Sequence, residues 1–237
     1  MNEKGVTLME VLIAVSLLSL LSVAMFLAMR IGLNSYAKAD TKLMDNRRAA
    51  GAQRILAEEL GGIIPVMAAC GSAGQGPGSR AVFFQGAPGV MRLASTFSLQ
   101  SGWRGQPQIL ALMVIPGEDG RGVRLVVNET PYAGPAAAGR FCTAVGQFVP
   151  AEFGPGSFVL ADKLAFCRFS YLSAAKDANE PPVWKAGWNT QTWPLAIRIE
   201  MAPLDADPSR VQPISVTVPV YLHLNPEIEY EDLGISY

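Results

Sequence analysis

The hydrophobic pattern of the chain changes near residue 60. Residues 11–29 are nineteen consecutive positions without a charged side chain, and residues 31–60 place apolar side chains at broadly helical spacing among charged ones. As a helix, the first stretch is about 28 Å long, close to the ~30 Å hydrocarbon core of a bilayer. The glycine pair at 61–62 supplies a stop signal. The pattern predicts a transmembrane helix that continues as an amphipathic helix, with a separate short second helix as the alternative.

After a Gly/Ser-rich loop at 68–80, the pattern changes to short runs, several of which alternate apolar and polar residues as half-buried antiparallel strands do. No convincing helical pattern lies between these runs, so a parallel βαβ sheet is disfavoured. We predict strands at 81–85, 90–98, 108–115, 122–128, 157–161, 164–172, 195–201 and 214–222. A long helix packed on an antiparallel sheet gives an α+β fold.

Composition excludes several classes of function. The net charge of −1 argues against a strongly basic nucleic-acid binder. The single histidine, His223, argues against the usual His-based triads, and we expect it to be a satisfied surface or edge residue. The sequence contains no nucleophile elbow, P-loop, zinc-protease or EF-hand motif. The segment 117–120 is interpreted as a hairpin turn. The acidic tail lacks the Asp/Asn-Gly spacing that calcium-binding loops favour, so it is interpreted as a solvated end. We therefore expect no catalytic site, cofactor, metal site or nucleic-acid partner; the tail acids are Glu227, Glu229, Glu231 and Asp232.

The apolar N-terminal stretch has features in common with a removable secretory signal. The triplet 22–24, Ser-Val-Ala, has the small residues that a signal peptidase uses, although the apolar run continues past it to Met29. A lipoprotein signal is excluded because the first cysteine is Cys70. A buried core helix and an uncleaved signal anchor remain as alternatives.

Glu10 carries a carboxylate directly before the apolar run. Such a residue inside a membrane segment costs on the order of 2.5–3.5 kcal/mol, less near the interface, so it requires a partner. A cut after Gly5 would create an α-amine on Val6 that supplies the opposite charge. This amine could act from the same helix or from a neighbouring subunit.

The run Gly5-Val6-Thr7-Leu8-Met9-Glu10, followed by VLIAVSLLSLLS, resembles the class III signal of type IV pilins and type II secretion pseudopilins. The resemblance implies that a prepilin peptidase cuts between Gly5 and Val6, that Val6 is N-methylated and that Glu10 docks subunits. Val6 stands where the family usually has Phe. The implied organisation is a leader at 1–5, a transmembrane helix at 6–30, its amphipathic continuation at 31–62 and a β-rich periplasmic head at 63–237.

A second motif lies in the head. An aromatic run at 166–172 is followed by Trp184, Trp188 and Trp193, and then by Pro-Leu-Ala-Ile-Arg at 194–198. This order resembles the J-type minor pseudopilin of type II secretion, and W-type minor pilins of type IV pili share much of it. Alternatively, the three Trp residues only cap one end of the sheet.

The J-type resemblance implies a non-enzymatic subunit of the pseudopilus tip that initiates fibre assembly. The implied partners are I- and K-type minor pseudopilins, the major pseudopilin, the prepilin peptidase and the inner-membrane assembly platform. The protein would be a single-pass inner-membrane protein with its head in the periplasm. The alternatives are a W-type minor pilin of a type IV pilus or DNA-uptake machine, and a membrane-anchored periplasmic enzyme.

In an exported head, the three cysteines would face an oxidising compartment. Three pairings of Cys70, Cys142 and Cys167 are possible, and sequence does not choose among them. We predict Cys142–Cys167 with Cys70 free, a bridge that would stabilise the head by ~3 kcal/mol. The alternative is that all three are reduced and buried.

Overall fold

The computed structural model describes residues 7–71, 79–98, 103–118, 120–175, 180–204 and 214–221. The side chains at 41, 42, 45, 46, 48, 49, 103 and 104 are outside this description. The chain divides into two compact units, residues 1–47 and 48–237.

The secondary structure begins with one long helix and continues mostly as strands. The helices are α1 (Leu8–Gly61) and α2 (Pro135–Gly139). The strands are β1 (Ile63–Ile64), β2 (Met67–Cys70), β3 (Ser79–Val82), β4 (Gln85–Gly86), β5 (Val90–Ser98), β6 (Trp103–Pro116), β7 (Val123–Pro131), β8 (Cys142–Ala144), β9 (Gln147–Phe148), β10 (Phe158–Ser173), β11 (Val183–Lys185), β12 (Ala196–Pro203) and β13 (Ile214–Pro219).

All pairings among these strands are antiparallel. The main sheet has the order β1-β5-β6-β7-β10-β12-β13, with β4 added beside β5 and β11 beside β10. Two small sheets, β2-β3 and β8-β9, complete the fold. The predicted α+β class is therefore confirmed: a long N-terminal apolar helix is followed by an antiparallel sheet.

The first unit consists of the N-terminal part of α1. Its stretch Leu8–Asp40 has a mean hydropathy of 2.6, and none of it is buried. By length and composition, this is the one helix among the described residues that could cross a membrane. The apolar side chains of the expected continuation, including Leu33, Tyr36 and Leu43, are also exposed.

The second unit has its core around the main sheet. The last turns of α1 contribute Leu56 and Leu60 to the larger apolar cluster, together with inward-facing residues of β5, β6, β7, β10 and β12. A smaller cluster involves the alternate residues Ala94 of β5 and Ile109 of β6. It is completed by the β2–β3 hairpin, α2 and the start of β8. Clusters on both faces explain why β5 is almost continuously buried, including its polar residues Arg92, Ser95 and Ser98.

The strand predictions match the main sheet closely and fail on short elements. The predicted strand 90–98 is β5. At the predicted turn between β6 and β7, the backbone N–H of Gly120 donates to the carbonyl of Gly117 at 3.1 Å, and Asp119 lies outside the described residues. The two strands predicted at 157–161 and 164–172 are one strand, β10, because register shifts between Val159 and Leu164 absorb the polar Asp162-Lys163 pair. Lys163 adopts a φ of 53°, which accommodates this irregularity.

Two local predictions were wrong. The expectation of no helix between the strands missed α2, where Pro135 occupies the first turn and an alanine run follows. The loop predicted at 68–80 overlaps most of β2 and the start of β3, whose register pairs Cys70 with Ser79. The glycine-rich middle of that loop, 72–78, lies outside the described residues.

The predicted disulfide was also wrong. Cys70 pairs with Cys142, with their Cα atoms 5.3 Å apart, and Cys167 is a buried free thiol. The reason lies in the sheet topology. Cys70 and Cys142 both point into the smaller cluster, whereas Cys167 points into the larger cluster on the other side of the sheet.

Candidate processing and docking segment

The N-terminal end of α1 is built by a short capping arrangement. The backbone N–H of Glu10 donates to the carbonyl oxygen of Thr7 at 3.1 Å and lies 3.3 Å from its Oγ1. A threonine followed three residues later by glutamate is the sequence pattern of a capping box, and Thr7 here serves as the N-cap. The helix therefore starts within the motif itself.

Glu10 lies in the first turn of α1 and its side chain is exposed. A carboxylate there is favoured by the partial positive charge at the start of a helix. The residues predicted to be cut and methylated, Gly5 and Val6, lie outside the described residues, as does the predicted leader. The structure thus places Glu10, the carboxylate predicted to dock subunits, in the first turn of the helix.

The apolar stretch after Glu10 carries three serines whose hydroxyl groups are satisfied within the helix. Ser16 donates to the carbonyl of Ile13 at 2.8 Å, Ser19 to that of Ser16 at 2.9 Å and Ser22 to that of Leu18 at 2.8 Å. A lipid core offers no water, so hydroxyls with internal partners cost less to insert. The serines are therefore compatible with a membrane span.

The Trp-rich motif of the head is organised around the end of the sheet where β10 and β12 meet. Trp188 is buried, and its indole N–H donates to the carbonyl of Thr192 at 2.6 Å. Trp193 packs on Phe84 with ring centroids 5.2 Å apart. Two of the three Trp residues therefore belong to the core, as expected if the motif caps one end of the sheet.

The third Trp lies on the opposite face of the sheet. The guanidinium of Arg198 is 3.9 Å from the ring centroid of Trp184. Arg198 also donates from Nε to Thr217 Oγ1 at 3.2 Å. A cation–π contact thus joins the first Trp of the motif, on β11, to Arg198 at its end, on β12.

Close packing around Trp188 depends on a glycine. A Cβ at Gly86 would lie 2.6 Å from the Cβ of Trp188 and 2.8 Å from Cζ of Tyr171. The backbone N–H of Trp188 donates to the carbonyl of Gly86 at 2.8 Å, which fixes this approach. Gly86 is a structural requirement of the Trp motif that sequence reasoning missed.

Sequence reasoning also missed a buried acidic residue, Glu59, which is 1% exposed. Burial is the largest cause that raises its pKa, to about 8, and the charge and hydrogen bond of Glu129 add to the effect. The available signal was its position between Leu56 and Leu60 on the apolar face of α1. A glutamate on that face has to be buried when the helix packs on the sheet.

Among the described residues, no group of three or more His, Cys, Asp or Glu side chains could hold a metal ion. His223 and the acidic tail lie outside the described residues. The expectation that the protein uses neither a metal nor a cofactor stays a prediction.

Comparison with known families gives one match. Residues 1–26 match the family described as the prokaryotic N-terminal methylation motif. No curated protein matches the chain. The match covers the predicted leader, Glu10 and most of the apolar run, and it supports a type IV pilin-like protein. Such a motif indicates processing by a prepilin peptidase, assembly into a pilus-like complex and a structural role in place of an enzymatic one. With the single apolar helix, it fits a membrane-anchored protein.

Proposed function

We propose that the chain is a J-type minor pseudopilin, a structural subunit of the tip of a type II secretion pseudopilus. The N-terminal methylation motif carries the proposal. The α+β architecture and the order of β10, the Trp-rich loop and β12 support it. In this role the protein performs no catalysis, and its work is to initiate the fibre that exports other proteins.

The proposed maturation has two steps. A prepilin peptidase hydrolyses the peptide bond between Gly5 and Val6, which leaves a carboxylate on the leader and an α-amine on Val6. The amine is then methylated. A protonated N-methyl amine keeps its positive charge, so it can pair with a Glu10 carboxylate in the membrane.

Glu10 is the proposed docking residue. Its exposure in the first turn of α1 leaves the carboxylate available to a neighbouring subunit. In lipid, an unpaired carboxylate is costly, and pairing with the amine of an adjacent subunit removes part of this cost. The pair therefore favours one axial register between neighbouring helices.

The proposed location is the inner membrane, with residues 6–30 as the span, 31–62 as its helical continuation and 63–237 as a periplasmic head. The Cys70–Cys142 disulfide supports export because such bonds persist in oxidising compartments. The proposed partners are I- and K-type minor pseudopilins, the major pseudopilin, the prepilin peptidase and the assembly platform.

The test compares Glu10→Leu with Glu58→Gln, a substitution of an acid that lies on the same helix and pairs with Arg54 at 2.9 Å. Both are expressed in the native host lacking the wild-type copy. We expect Glu10→Leu to remain in the membrane but to lose cross-links to the other minor subunits and to abolish secretion. Glu58→Gln should retain both.

Three results would contradict the proposal. A Glu10→Leu protein that assembles and supports secretion would remove the docking role. Normal secretion in the deletion strain, with loss of pili or DNA uptake, would instead assign the chain to the W-type minor pilins. An activity retained by Glu10→Leu without any assembly phenotype would indicate an anchored enzyme.

A further inference from the structure

The main sheet ends at β13, which pairs with β12 along one of its two edges. This pairing continues past the strand, because the backbone N–H of Val220 donates to the carbonyl of Leu195 at 2.9 Å. Along the other edge, here called the outer edge of β13, no strand is paired within the described part of the chain. Such an edge is a template for an extended segment, which binds through main-chain hydrogen bonds.

The two faces of β13 differ in chemistry. On the face of the larger apolar cluster, Val216 is buried. The other apolar side chains on this face are only partly buried: Ile214, Val218 and Val220. The side chains on the opposite face are exposed: Ser215, Thr217 and Pro219. A strand added at the outer edge would therefore match β13 if it carried apolar side chains on the first face and polar ones on the second.

The exposed face also carries a guanidinium that is held beside β13. Arg198 of β12 donates from Nε to Thr217 Oγ1 at 3.2 Å, and its guanidinium lies 3.9 Å from the ring centroid of Trp184. On the same face, Arg168 has an acidic neighbour, because Glu200 lies 3.8 Å away. Within the described residues, no carboxylate is paired with Arg198. A carboxylate on this face would therefore gain a charge-assisted contact.

The acidic tail has the sequence pattern that such a strand requires. Residues 227–231 read Glu-Ile-Glu-Tyr-Glu, so carboxylates alternate with Ile228 and Tyr230. In an extended strand, successive side chains point to opposite faces, which separates the three acids from the two apolar side chains. Residues 222–226 connect this run to β13 over a length that hairpin loops adopt, and Asn225-Pro226 is a turn signal.

We propose that residues 227–231 bind the outer edge of β13 as an added antiparallel strand. Ile228 and Tyr230 then extend the apolar face of Val218, and the carboxylates lie on the face of Arg198. The opposite facing is disfavoured because a slip of one residue would place three acids against the apolar cluster. The carboxylates remain in contact with solvent, as expected for this tail, while the backbone of the segment is docked.

The match between the segment and both faces of β13 carries this proposal, and it does not depend on which pilin-like machine the protein serves. It assigns a role to the alternation of residues 227–231 that a purely solvated end would not need. While the segment occupies the outer edge, β13 is closed to strands of other molecules, which is how many proteins prevent edge-to-edge association.

The test is hydrogen exchange of the full chain in detergent, read by mass spectrometry on peptides covering residues 214–221 and 226–232. Rates are divided by the intrinsic exchange rate of each sequence. Both peptides should exchange at least about 10-fold more slowly in the wild type than in the Ile228→Asp/Tyr230→Asp variant, which places charges on the apolar face and detaches the segment. Ile235→Asp is the matched control outside the alternating run and should behave as the wild type.

Arg198→Gln tests the electrostatic part separately. It removes the positive charge and keeps a polar side chain beside Thr217, so exchange of residues 226–232 should be about 2–5-fold faster than in the wild type. Added salt should accelerate exchange in the wild type and have a smaller effect on Arg198→Gln. Unchanged exchange in Arg198→Gln would overturn the assigned facing of the carboxylates.

Three outcomes would overturn the docking itself. The first is exchange of residues 226–232 at the intrinsic rate in the wild type. The second is protection that appears only as the protein concentration rises, since the added strand would then come from a second copy. The third is protection of residues 214–221 that persists in the Ile228→Asp/Tyr230→Asp variant, since another segment would then cover the outer edge.

Discussion

Removal of the Cys70–Cys142 disulfide should destabilise the head strongly. The bond joins residues 72 positions apart, so it closes a long loop in the unfolded chain. The chain-entropy relation gives a loss of about 4 kcal/mol for a loop of this length. We expect the Cys70→Ala/Cys142→Ala double variant to lose about this much free energy of unfolding.

The assay is urea unfolding of the detergent-solubilised chain under oxidising conditions, followed by Trp fluorescence. All four Trp residues lie beyond residue 100, so the signal reports on the head. A reductant should destabilise the wild type by a similar amount and leave the double variant unchanged. Cys167→Ala is the matched control, and it should cost only about 1 kcal/mol because it removes one buried sulfur atom.

A double variant no less stable than Cys167→Ala would refute the predicted contribution of the bond. Peptide mapping that found Cys142 joined to Cys167 would refute the pairing itself. That bond requires the two sulfur atoms to meet, whereas the structure places them in different apolar clusters.

Three further predictions concern the core. Leu56→Ala should lower the free energy of unfolding by about 3–5 kcal/mol in urea titrations because Leu56 is fully buried. The control is Leu43→Ala, which should change it by less than about 0.5 kcal/mol because Leu43 is exposed. Gly86→Ala should cost about 1–3 kcal/mol in thermal unfolding because its Cβ meets Trp188 and Tyr171, and Gly154→Ala, with open space around it, should be nearly neutral. Burial raises the pKa of the Cys167 thiol to about 12. Iodoacetamide at pH 8 should therefore alkylate Cys167 only after denaturation, as measured by mass spectrometry. Rapid labelling of the folded chain would contradict this prediction.

The sequence predicted the elements with strong periodicity. The helix ends at Gly61, at the predicted glycine stop. β5 has the predicted bounds, and it begins directly after the turn-forming residues Pro88 and Gly89. The edge strands β4 and β11 were missed because two or three residues carry no periodic pattern. Their existence depends on pairing with β5 and β10, which is a tertiary effect.

The same distinction applies to the candidate sites. Glu10 could be singled out because a lone charge in an apolar run is a local feature of the sequence. The disulfide could not be found in this way. It joins residues 72 positions apart, and only the tertiary fold of the head brings them together.

The most direct test of the central claim is the intact mass and N-terminal sequence of the protein isolated from a host with its own prepilin peptidase. We expect a mature chain that begins with N-methylated Val6, with a mass lower by the leader of residues 1–5 and higher by one methyl group. An intact Met1 in the membrane would indicate a plain anchor. A chain beginning at Met25 would indicate a secretory signal and would contradict the docking role of Glu10.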